Sequence, residues 1–497
     1  MEGCRMITDD NVRQFYRELL YKISTSKSLA YRHFDEEYYY DALHLNILKI
    51  NSVLHNYHNE KLILYTDKGF SAYSAIFSVF LSRNIWIPLS TDMPEIRTLD
   101  ILRAVEPKMF LYNIPLPSFI VDFLQENGIE QVDINTILNG EQKRDFDDFD
   151  FRTDDIAYIM FTSGSTGLPK GVPMTHQNYI NFINNCLNIL PFGKNEVFSD
   201  YHDFAFDISI FYLFCCPLTE GAFAPVINET DKMIPLHFIQ KNKVTVWSSV
   251  PSAISRVQSF KPDDTIRTEI NIMFLCGEPL SLKVLAFCLK NTGISHVYNF
   301  YGLTETGVEN FYHECSPGDL LEYADVGFVP IGKPLHGNEI NVSPERELLI
   351  SGLQITPGYM GGIGTERFEV IDGVRWFRTG DIVDKHGDVY ICKGRMDSQV
   401  KVRGYRIELM DIEVQMRKFE GVDEAVCFTI EKKNNNILAG VLKPKPGYEL
   451  NKNALADFLK KNLPHYMIPA MIYIKSDIPL NQNGKIDRRR VKEICLN

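Results

Sequence analysis

The segment from Thr162 to Gly171, TSGSTGLPKG, has the composition of a loop that binds a polyphosphate. Its glycines let backbone amides approach an anion closely, its hydroxyl groups can donate hydrogen bonds, and Lys170 adds a positive charge. The lysine follows the last hydroxyl residue of the loop, and the chain contains no GxxxxGK[ST] sequence, so an ordinary P-loop nucleoside triphosphatase is disfavoured. A polar surface linker is disfavoured too, because the apolar, strand-like run IAYIMF leads into the loop. The residues predicted to contact phosphate are Thr162, Ser163, Gly164, Ser165, Thr166, Gly167 and Lys170.

A second group of candidate residues lies at or just beyond the ends of two apolar, strand-like runs. Gly277 and Glu278 follow NIMFLC, and Asn299 lies within HVYNFYG. The sequence Tyr301-Gly-Leu-Thr-Glu305 then brings together an aromatic ring, a hydroxyl group and a carboxylate. An aromatic face can pack on adenine, and the two oxygen groups suit a magnesium-bound phosphate. A strand-end turn with a merely solvated glutamate would have the same sequence, so this segment alone leaves both interpretations open.

These residues need strands to position them, and the hydrophobic pattern predicts strands in regular alternation with helices. From Lys61 onward, the strand-like runs KLILYT, NIWIPL and KMFLYN alternate with the helix-like runs SAYSAIFSVFLSR, MPEIRTLDILRAV and PSFIVDFLQENG. The pattern returns in VTVWSSV, NIMFLCG and HVYNFYG, which predicts an α/β fold of wound sheets. Because ligands bind beyond the carboxyl ends of such strands, we expect the candidate residues to converge on one crevice.

A change of composition after Trp376 predicts a second, smaller domain. Turn-rich segments give way there to a charged amphipathic stretch. We predict a large N-terminal domain over residues 1–396 and a small α+β lid over residues 397–497. The polar, acidic stretch from 139 to 155 is most simply a solvated connection.

Composition and charge disfavour several classes of protein. The 497 residues are 45% hydrophobic and 23% charged, which is typical of a globular protein with more than one core. The net charge of −12 argues against a nucleic-acid partner, since such binders usually carry a basic face. The ten cysteines show no paired spacing, the N-terminus has no signal-peptide core, and no apolar run is long enough to span a bilayer. We therefore expect a cytoplasmic protein without membrane contact.

In order and register, the motifs resemble those of the AMP-forming adenylate enzymes, the superfamily of acyl-CoA synthetases, luciferases and the adenylation domains of nonribosomal peptide synthetases. The resemblance extends to Thr379-Gly-Asp381, Gly394-Arg395-Met-Asp397, the stretch Gln399–Glu408 and Asn483-Gly-Lys485. It implies that a carboxylate and Mg-ATP give an acyl adenylate and pyrophosphate. The lid, with the implied hinge at Asp397, then rotates, and the acyl group passes to a thiol.

The resemblance also implies a role for each matching residue. Tyr301 would pack on adenine, Thr304 would contact the α-phosphate, and Glu305 would help to bind magnesium. Asp381 would accept hydrogen bonds from both ribose hydroxyls. The remaining implied contacts with ATP are made by Gly277, Glu278, Asn299, Arg395 and Lys485.

Lys485 is the implied catalytic lysine, acting together with Lys170 and Thr304. An ammonium group on a mobile, glycine-supported loop can neutralise charge as the carboxylate attacks. Two positions depart from the family pattern. Leu303 replaces a proline, and Cys392 stands where relatives often carry an aromatic residue near adenine, so base stacking is expected to be weaker on that side.

The segment FAFDIS, residues 204–209, resembles the FDxS motif with which amino-acid adenylation domains place an aspartate against the α-ammonium group of the substrate. An unpaired carboxylate in a pocket is costly, so Asp207 favours a small amino acid over a fatty or aryl acid. The alternative is that Asp207 or Ser209 caps the following helix.

By the same match, the substrate pocket is lined by Phe211, Ser249, Phe274, Cys276, Phe300, Val308 and Glu309. Three phenylalanines predict a small cavity. The segments WSSVPS and FLCGE also resemble those of stand-alone D-alanine–carrier protein ligases. Cys276 could equally be a buried core thiol, and Glu309 discriminates only weakly because an acid at this position is frequent in relatives of varied specificity.

Ten residues follow NGKID, so we expect the thiol to come from a second molecule, either phosphopantetheine on a separate carrier protein or free coenzyme A. Asp207 favours the carrier. The leading hypothesis is an amino-acid:carrier-protein ligase, and the alternative is an acyl- or aryl-CoA ligase. An inactive nucleotide-binding scaffold is disfavoured because Lys170, Glu305, Asp381 and Lys485 are all intact.

Overall fold

The computed structural model describes residues 7–146, 149–163, 168–260, 268–290, 294–362, 364–397, 399–432, 435–479 and 486–496. Within them the helices are α1 Asp9–Thr25, α2 Tyr40–Leu54, α3 Phe70–Leu81, α4 Glu95–Val105, α5 Ser118–Glu126, α6 Ile134–Asn139, α7 His176–Ile189, α8 Ser209–Leu218, α9 Glu229–Met233, α10 Pro235–Lys241, α11 Pro251–Phe260, α12 Leu282–Lys290, α13 Asp319–Glu322, α14 Leu409–Lys418, α15 Lys452–Asn462 and α16 Arg488–Leu496. The strands are β1 Leu29–His33, β2 Glu36–Tyr39, β3 Lys61–Tyr65, β4 Ile85–Pro88, β5 Met109–Tyr112, β6 Glu130–Asp133, β7 Ile156–Thr162, β8 Lys170–Thr175, β9 Val197–Asp200, β10 Ala222–Pro225, β11 Val246–Ser249, β12 Ile272–Leu275, β13 His296–Tyr301, β14 Phe311–Glu314, β15 Lys333–Pro334, β16 Asn338–Val342, β17 Glu347–Gly352, β18 Phe368–Ile371, β19 Val374–His386, β20 Val389–Arg395, β21 Gln399–Val402, β22 Tyr405–Glu408, β23 Val422–Lys432, β24 Asn435–Pro444 and β25 Met471–Ile474.

The largest sheet has the strand order β15-β14-β13-β12-β11-β9-β10-β1-β2. Its central strands run parallel, whereas β2 and β14 are antiparallel to their neighbours near the two edges. The apolar runs of β11 and β12 are buried on both faces, as strands of a parallel sheet covered by helices must be. The parallel arrangement brings the carboxyl ends of β12 and β13, and the residues that follow them, to the same edge.

A second sheet has the order β6-β5-β3-β4-β7-β8, with parallel pairing from β6 to β7. One core cluster combines residues of both sheets with residues of α1, α2, α3, α7 and α8. Helix α3 is apolar nearly all round because it is buried along its length. The α/β fold predicted from the alternating pattern is confirmed. No helix in the described parts of the chain has both the length and the apolar character needed to cross a membrane.

A smaller sheet, of order β16-β17-β19-β18 with β20 paired to β19, carries the motifs that follow Trp376. The antiparallel register of β19 and β20 places Asp381 directly opposite Arg395. The two motifs TGD and GRMD, well separated in sequence, therefore meet through strand pairing.

The chain divides into two compact units, and the division near the C-terminus falls between Met396 and Asp397. The second unit contains residues 397–497 and also two earlier segments, 92–104 and 161–170. Within this unit, Arg97 of α4 forms an ion pair with Asp411, with Nη2 and Oδ1 2.6 Å apart and both side chains buried. Composition alone gave no sign of these two additional segments.

Candidate functional site

Asp381 lies at the centre of a group of polar side chains from β13, β19 and β20. The hydroxyl of Tyr301 donates to its Oδ2 at 2.5 Å, and Arg395 Nη1 donates to its Oδ1 at 2.9 Å. Arg395 also donates from Nη2 to the carbonyl oxygen of Thr379 at 2.9 Å. Burial and the charge of Asp381 hold the pKa of Tyr301 well above its usual value, so its hydroxyl stays protonated and able to donate. A carboxylate has about four acceptor positions, so these bonds leave capacity for further donors.

The turn after β13 holds one carboxylate in place and leaves one hydroxyl accessible. Residues Thr304–Thr306 form a 3-10 turn in which Glu305 is buried and Thr304 is partly exposed. Glu305 Oε1 accepts from the hydroxyl of Tyr359 at 2.7 Å, and its carbonyl oxygen accepts from the amide of Thr356 at 2.9 Å. Sequence reasoning missed Tyr359, which lies far along the chain in a segment with no strand or helix pattern.

Two further residues are predicted to bind nucleotide: Glu278 follows the end of β12, and Asn299 lies within β13. Glu278 Oε2 accepts a hydrogen bond from the amide of Ser252 at 3.0 Å. The preceding residue, Gly277, has a φ of +78°, in the left-handed region. The buried side chain of Asn299 donates from Nδ2 to the carbonyl oxygen of Pro330 at 2.8 Å. Its Oδ1 has no hydrogen-bond partner among the described residues.

The three phenylalanines predicted to line the substrate pocket form a stack. The ring of Phe274 lies between those of Phe211 and Phe300, with centroid distances of 4.3 and 4.0 Å. Cys276 and Val308 are buried in the same large core cluster as the three rings. The remaining predicted pocket residues, Ser249 and Glu309, are also buried.

Asp207 lies half-buried just ahead of α8, which contributes Phe211 to the stack. The helix begins at Ser209, and Ile208 occupies its N-cap position without a side-chain hydrogen bond. Burial and the nearby charge of Asp207 raise the pKa of the Tyr158 hydroxyl. The side chain of Asp207 is therefore a neighbour of a buried phenol that stays protonated.

A buried ion pair that sequence reasoning missed supports the loop leading to Asp207. Lys68 Nζ lies 2.6 Å from Asp200 Oδ1 and also donates to the carbonyl oxygen of His202. The hydroxyl of Tyr73 donates to Asp200 Oδ2 at 2.5 Å. A single lysine in the connection between β3 and α3 carries no sequence signal that would distinguish it from a solvated surface residue.

The predicted phosphate loop joins β7 to β8, and both of its ends are described. Thr162 is the last residue of β7, Lys170 is the first residue of β8, and both are partly buried. Ser163 Oγ donates to the carbonyl oxygen of Arg406 at 3.1 Å, within the second unit. Asp397 Oδ1 accepts from the amide of Gln399 at 3.2 Å. The predicted residues that lie outside the described residues are Gly164, Ser165, Thr166, Gly167 and Lys485.

Family models and known proteins resemble this chain over most of its length. The model described as AMP-binding enzyme matches residues 24–360, and that of the AMP-binding enzyme C-terminal domain matches residues 411–485. The chain is 30% identical over 430 residues to the D-alanine–D-alanyl carrier protein ligase of Staphylococcus aureus strain Newman. The alignment covers 82% of this chain and 84% of that protein.

Two solved structures show the same fold at lower sequence identity. The Vibrio cholerae adenylation domain AlmE, in complex with glycyl-adenosine-5'-phosphate, matches with a TM-score of 0.82 and 21% identity and covers 100% of this chain and 99% of its own. The o-succinylbenzoate CoA synthetase MenE of Bacillus subtilis matches with a TM-score of 0.82 and 19% identity. This match covers 96% of the present chain and 98% of the MenE chain.

Proposed function

Because the chain belongs to the AMP-binding enzyme family, we propose that it activates a small amino acid with Mg-ATP and loads it onto a carrier protein. The first step gives aminoacyl-AMP and pyrophosphate. The second transfers the aminoacyl group to the phosphopantetheine thiol of a separate carrier, and we place both steps in the cytoplasm. The observation that carries the proposal is Asp207, a half-buried carboxylate just ahead of α8, the helix that contributes Phe211 to the aromatic stack.

Asp207 suits an amino acid because its negative charge can pair with an α-ammonium group. A carboxylate that faces an apolar acyl chain would lose hydration without gaining a partner. The stack of Phe211, Phe274 and Phe300 restricts the space for the substrate side chain, which favours a small one. The similarity to a D-alanine–D-alanyl carrier protein ligase supports both the amino-acid substrate and the carrier.

The groups around Asp381 fit the nucleoside part of ATP. The remaining acceptor capacity of the Asp381 carboxylate suits ribose hydroxyls, and Tyr301 and Arg395 hold that carboxylate in position. The unpaired Oδ1 of Asn299 suits a donor such as the adenine amino group. We assign the phosphates to the loop from Thr162 to Lys170.

The carboxylate of Glu305 suits magnesium, and the hydroxyl of Thr304 suits the α-phosphate. The described residues include no group of three or more His, Cys, Asp or Glu side chains placed to hold a metal ion. A site with a single carboxylate still suits magnesium, because this ion usually binds through one or two carboxylates together with substrate phosphates and water. When bound, it would neutralise phosphate charge.

The chemistry requires positioning and charge neutralisation from the protein. A carboxylate oxygen of the amino acid attacks the α-phosphorus, and the bond to pyrophosphate breaks. After the lid rotates about Asp397, the thiol sulfur attacks the acyl carbon, and AMP leaves. We assign to Lys485 the stabilisation of charge in the first step. No enzyme nucleophile is needed, which agrees with the burial of most described cysteines.

Pyrophosphate exchange into ATP tests the proposal. We expect exchange with one or a few small amino acids and none with fatty or aryl acids. A matched pair of substrates, alanine and lactate, isolates the ammonium group, because the two differ only in the amino and hydroxyl substituents. The wild type should discriminate strongly against lactate, and Asp207→Asn should lose most of that discrimination.

The second step is measured as transfer of labelled amino acid to a phosphopantetheinylated carrier protein or to free coenzyme A. Exchange driven by aryl or fatty acids, followed by transfer to coenzyme A, would assign the chain to the CoA ligases instead. A wild type that binds ATP but shows no exchange with any acid would contradict the proposal altogether.

A further inference from the structure

The turn between β13 and β14 holds a strained residue. Val308 is buried and has a φ of +74°, in the left-handed region where a β-branched residue is an outlier. The amide of Glu309 donates to the carbonyl oxygen of Gly307 at 3.1 Å and closes a three-residue turn around Val308. A turn of this kind with a positive central φ is rare and strained. Such strain persists only where surrounding contacts enforce it.

The side chain of Gln354 supplies such contacts. Its Nε2 donates to the carbonyl oxygens on both sides of Val308, that of Gly307 at 2.9 Å and that of Glu309 at 2.7 Å. Its Oε1 accepts from Asn181 Nδ2 and Asn338 Nδ2, each at 2.9 Å. The amide is fully buried and thus uses both donor hydrogens and both acceptor positions. An amide held in this way has a fixed orientation.

The backbone around Gln354 also restricts the turn. A Cβ atom at Gly307 would lie 2.8 Å from the carbonyl oxygen of Gln354. On the other side of the turn, a Cβ atom at Gly302 would lie 2.2 Å from the carbonyl oxygen of Val308. The turn is therefore confined between the end of β13 and the segment that follows β17.

We infer that Gln354 is a positioning residue, which holds Val308 in its left-handed conformation and so fixes the two ends of one turn. One end carries Thr304 and Glu305, and the other carries Val308 and Glu309. The inference rests on the proposed function, because that function assigns the first pair to magnesium and phosphate and the second pair to the amino acid. Gln354 then couples the geometry of the residues that contact magnesium and phosphate to the shape of the substrate pocket.

The test replaces Gln354 by methionine, which keeps the volume but removes both donors and the acceptor oxygen. We expect kcat/KM in pyrophosphate exchange to fall roughly tenfold, the factor that corresponds to the cost of a left-handed non-glycine residue. The magnesium concentration for half-maximal exchange should rise. In a Val308→Gly background, the loss caused by Gln354→Met should largely disappear, because glycine adopts positive φ without that cost.

The matched control is Asn185→Ala. The Asn185 side chain donates to the carbonyl oxygens of Asn181 and His336 and accepts from the amide of His336. This variant should lower the unfolding midpoint without changing the magnesium dependence. If Gln354→Met does not fold, Asn338→Ala serves instead, because Asn338 is half-buried and is one hydrogen-bond partner of Gln354. This variant should change kcat/KM and the magnesium dependence in the same direction but by less.

A crystal structure of Gln354→Met gives a readout that needs no activity. We expect φ of Val308 to leave the left-handed region. A φ that stays near +74°, or a loss of activity that is equally large with and without the Val308→Gly substitution, would overturn the inference. Failure of the proposed function shows separately, as a wild type without exchange, and leaves this structural comparison intact.

Discussion

Replacing Lys68 by methionine should destabilise the first unit by about 3 kcal/mol. The lysine Nζ pairs at 2.6 Å with Asp200, whose side chain is fully buried, and it also donates to the carbonyl oxygens of Asp200 and His202. Burial lowers the pKa of Lys68, and the charge of Asp200 opposes that shift. Breaking a buried pair by removing one partner typically costs ~3–5 kcal/mol, because the other charge stays buried. We take the lower end because Tyr73 still donates to Asp200.

Urea unfolding followed by tryptophan fluorescence measures this cost. All three tryptophans of the chain, Trp86, Trp247 and Trp376, lie in the first unit, so their emission reports on the unit that contains the ion pair. The matched control is Lys22→Met, which breaks the partly exposed pair with Glu220 and should cost ~0–1 kcal/mol.

A second substitution identifies the buried charge as the cause. Asp200→Asn in the Lys68→Met background should recover part of the lost stability, because the unpaired carboxylate is gone. In pyrophosphate exchange, Lys68→Met should raise KM for the amino acid more than KM for ATP, since the pair supports the loop that leads to Asp207. Equal costs for Lys68→Met and Lys22→Met, together with no recovery in the double variant, would refute this reasoning.

Two further outcomes are expected. Burial lowers the pKa of His176 to about 3, so the unfolded chain binds its proton near pH 6.5 while the folded chain does not. The contribution of this neutral histidine to the free energy of unfolding is therefore complete above pH 6.5 and is lost at up to about 1.4 kcal/mol per pH unit as the pH falls towards 3. His176→Gln should reduce the dependence of the unfolding free energy on pH, measured by urea titration at several pH values. An unchanged pH dependence would contradict the assignment. Asp381→Asn should raise KM for ATP by roughly 10- to 100-fold, the equivalent of a lost charge-assisted hydrogen bond, and an equal rise in KM for the amino acid would count against a nucleoside role.

The sequence predicted the elements that carry the site more completely than the side chains that support it. The runs predicted as strands around Lys61, Ile85 and Met109 are β3, β4 and β5, and the helices between them are α3 and α4. These predictions succeeded because hydrophobic periodicity reports directly which face of an element is buried. The stack of Phe211, Phe274 and Phe300 shows that three of the predicted pocket residues lie together, and their roles stay predictions.

Gln354 and Lys68 could not be predicted in the same way. A buried polar residue has the same local sequence signature as an exposed one, because its burial is decided by partners from other elements. The partner of Lys68 lies 132 residues away, and Asn181 lies 173 residues from Gln354. Pattern reasoning within a window of some 18 residues does not reach such pairs.

The residues of the sequence motifs lie far along the chain from the buried polar residues that hold them in position. The motif residues lie on strand ends and turns, and their side-chain geometry depends on buried amides and ion pairs that lie outside every motif. Each such group is costly to bury unless all of its hydrogen-bonding positions are used, so it tolerates few substitutions. Grafting the residues 301–309 of this chain onto a relative that lacks Gln354, Asn181 and Asn338 would transfer the ligands but not the contacts that hold Val308 in place. We therefore expect substrate preference in this protein to depend on the polar core as well as on the predicted pocket residues.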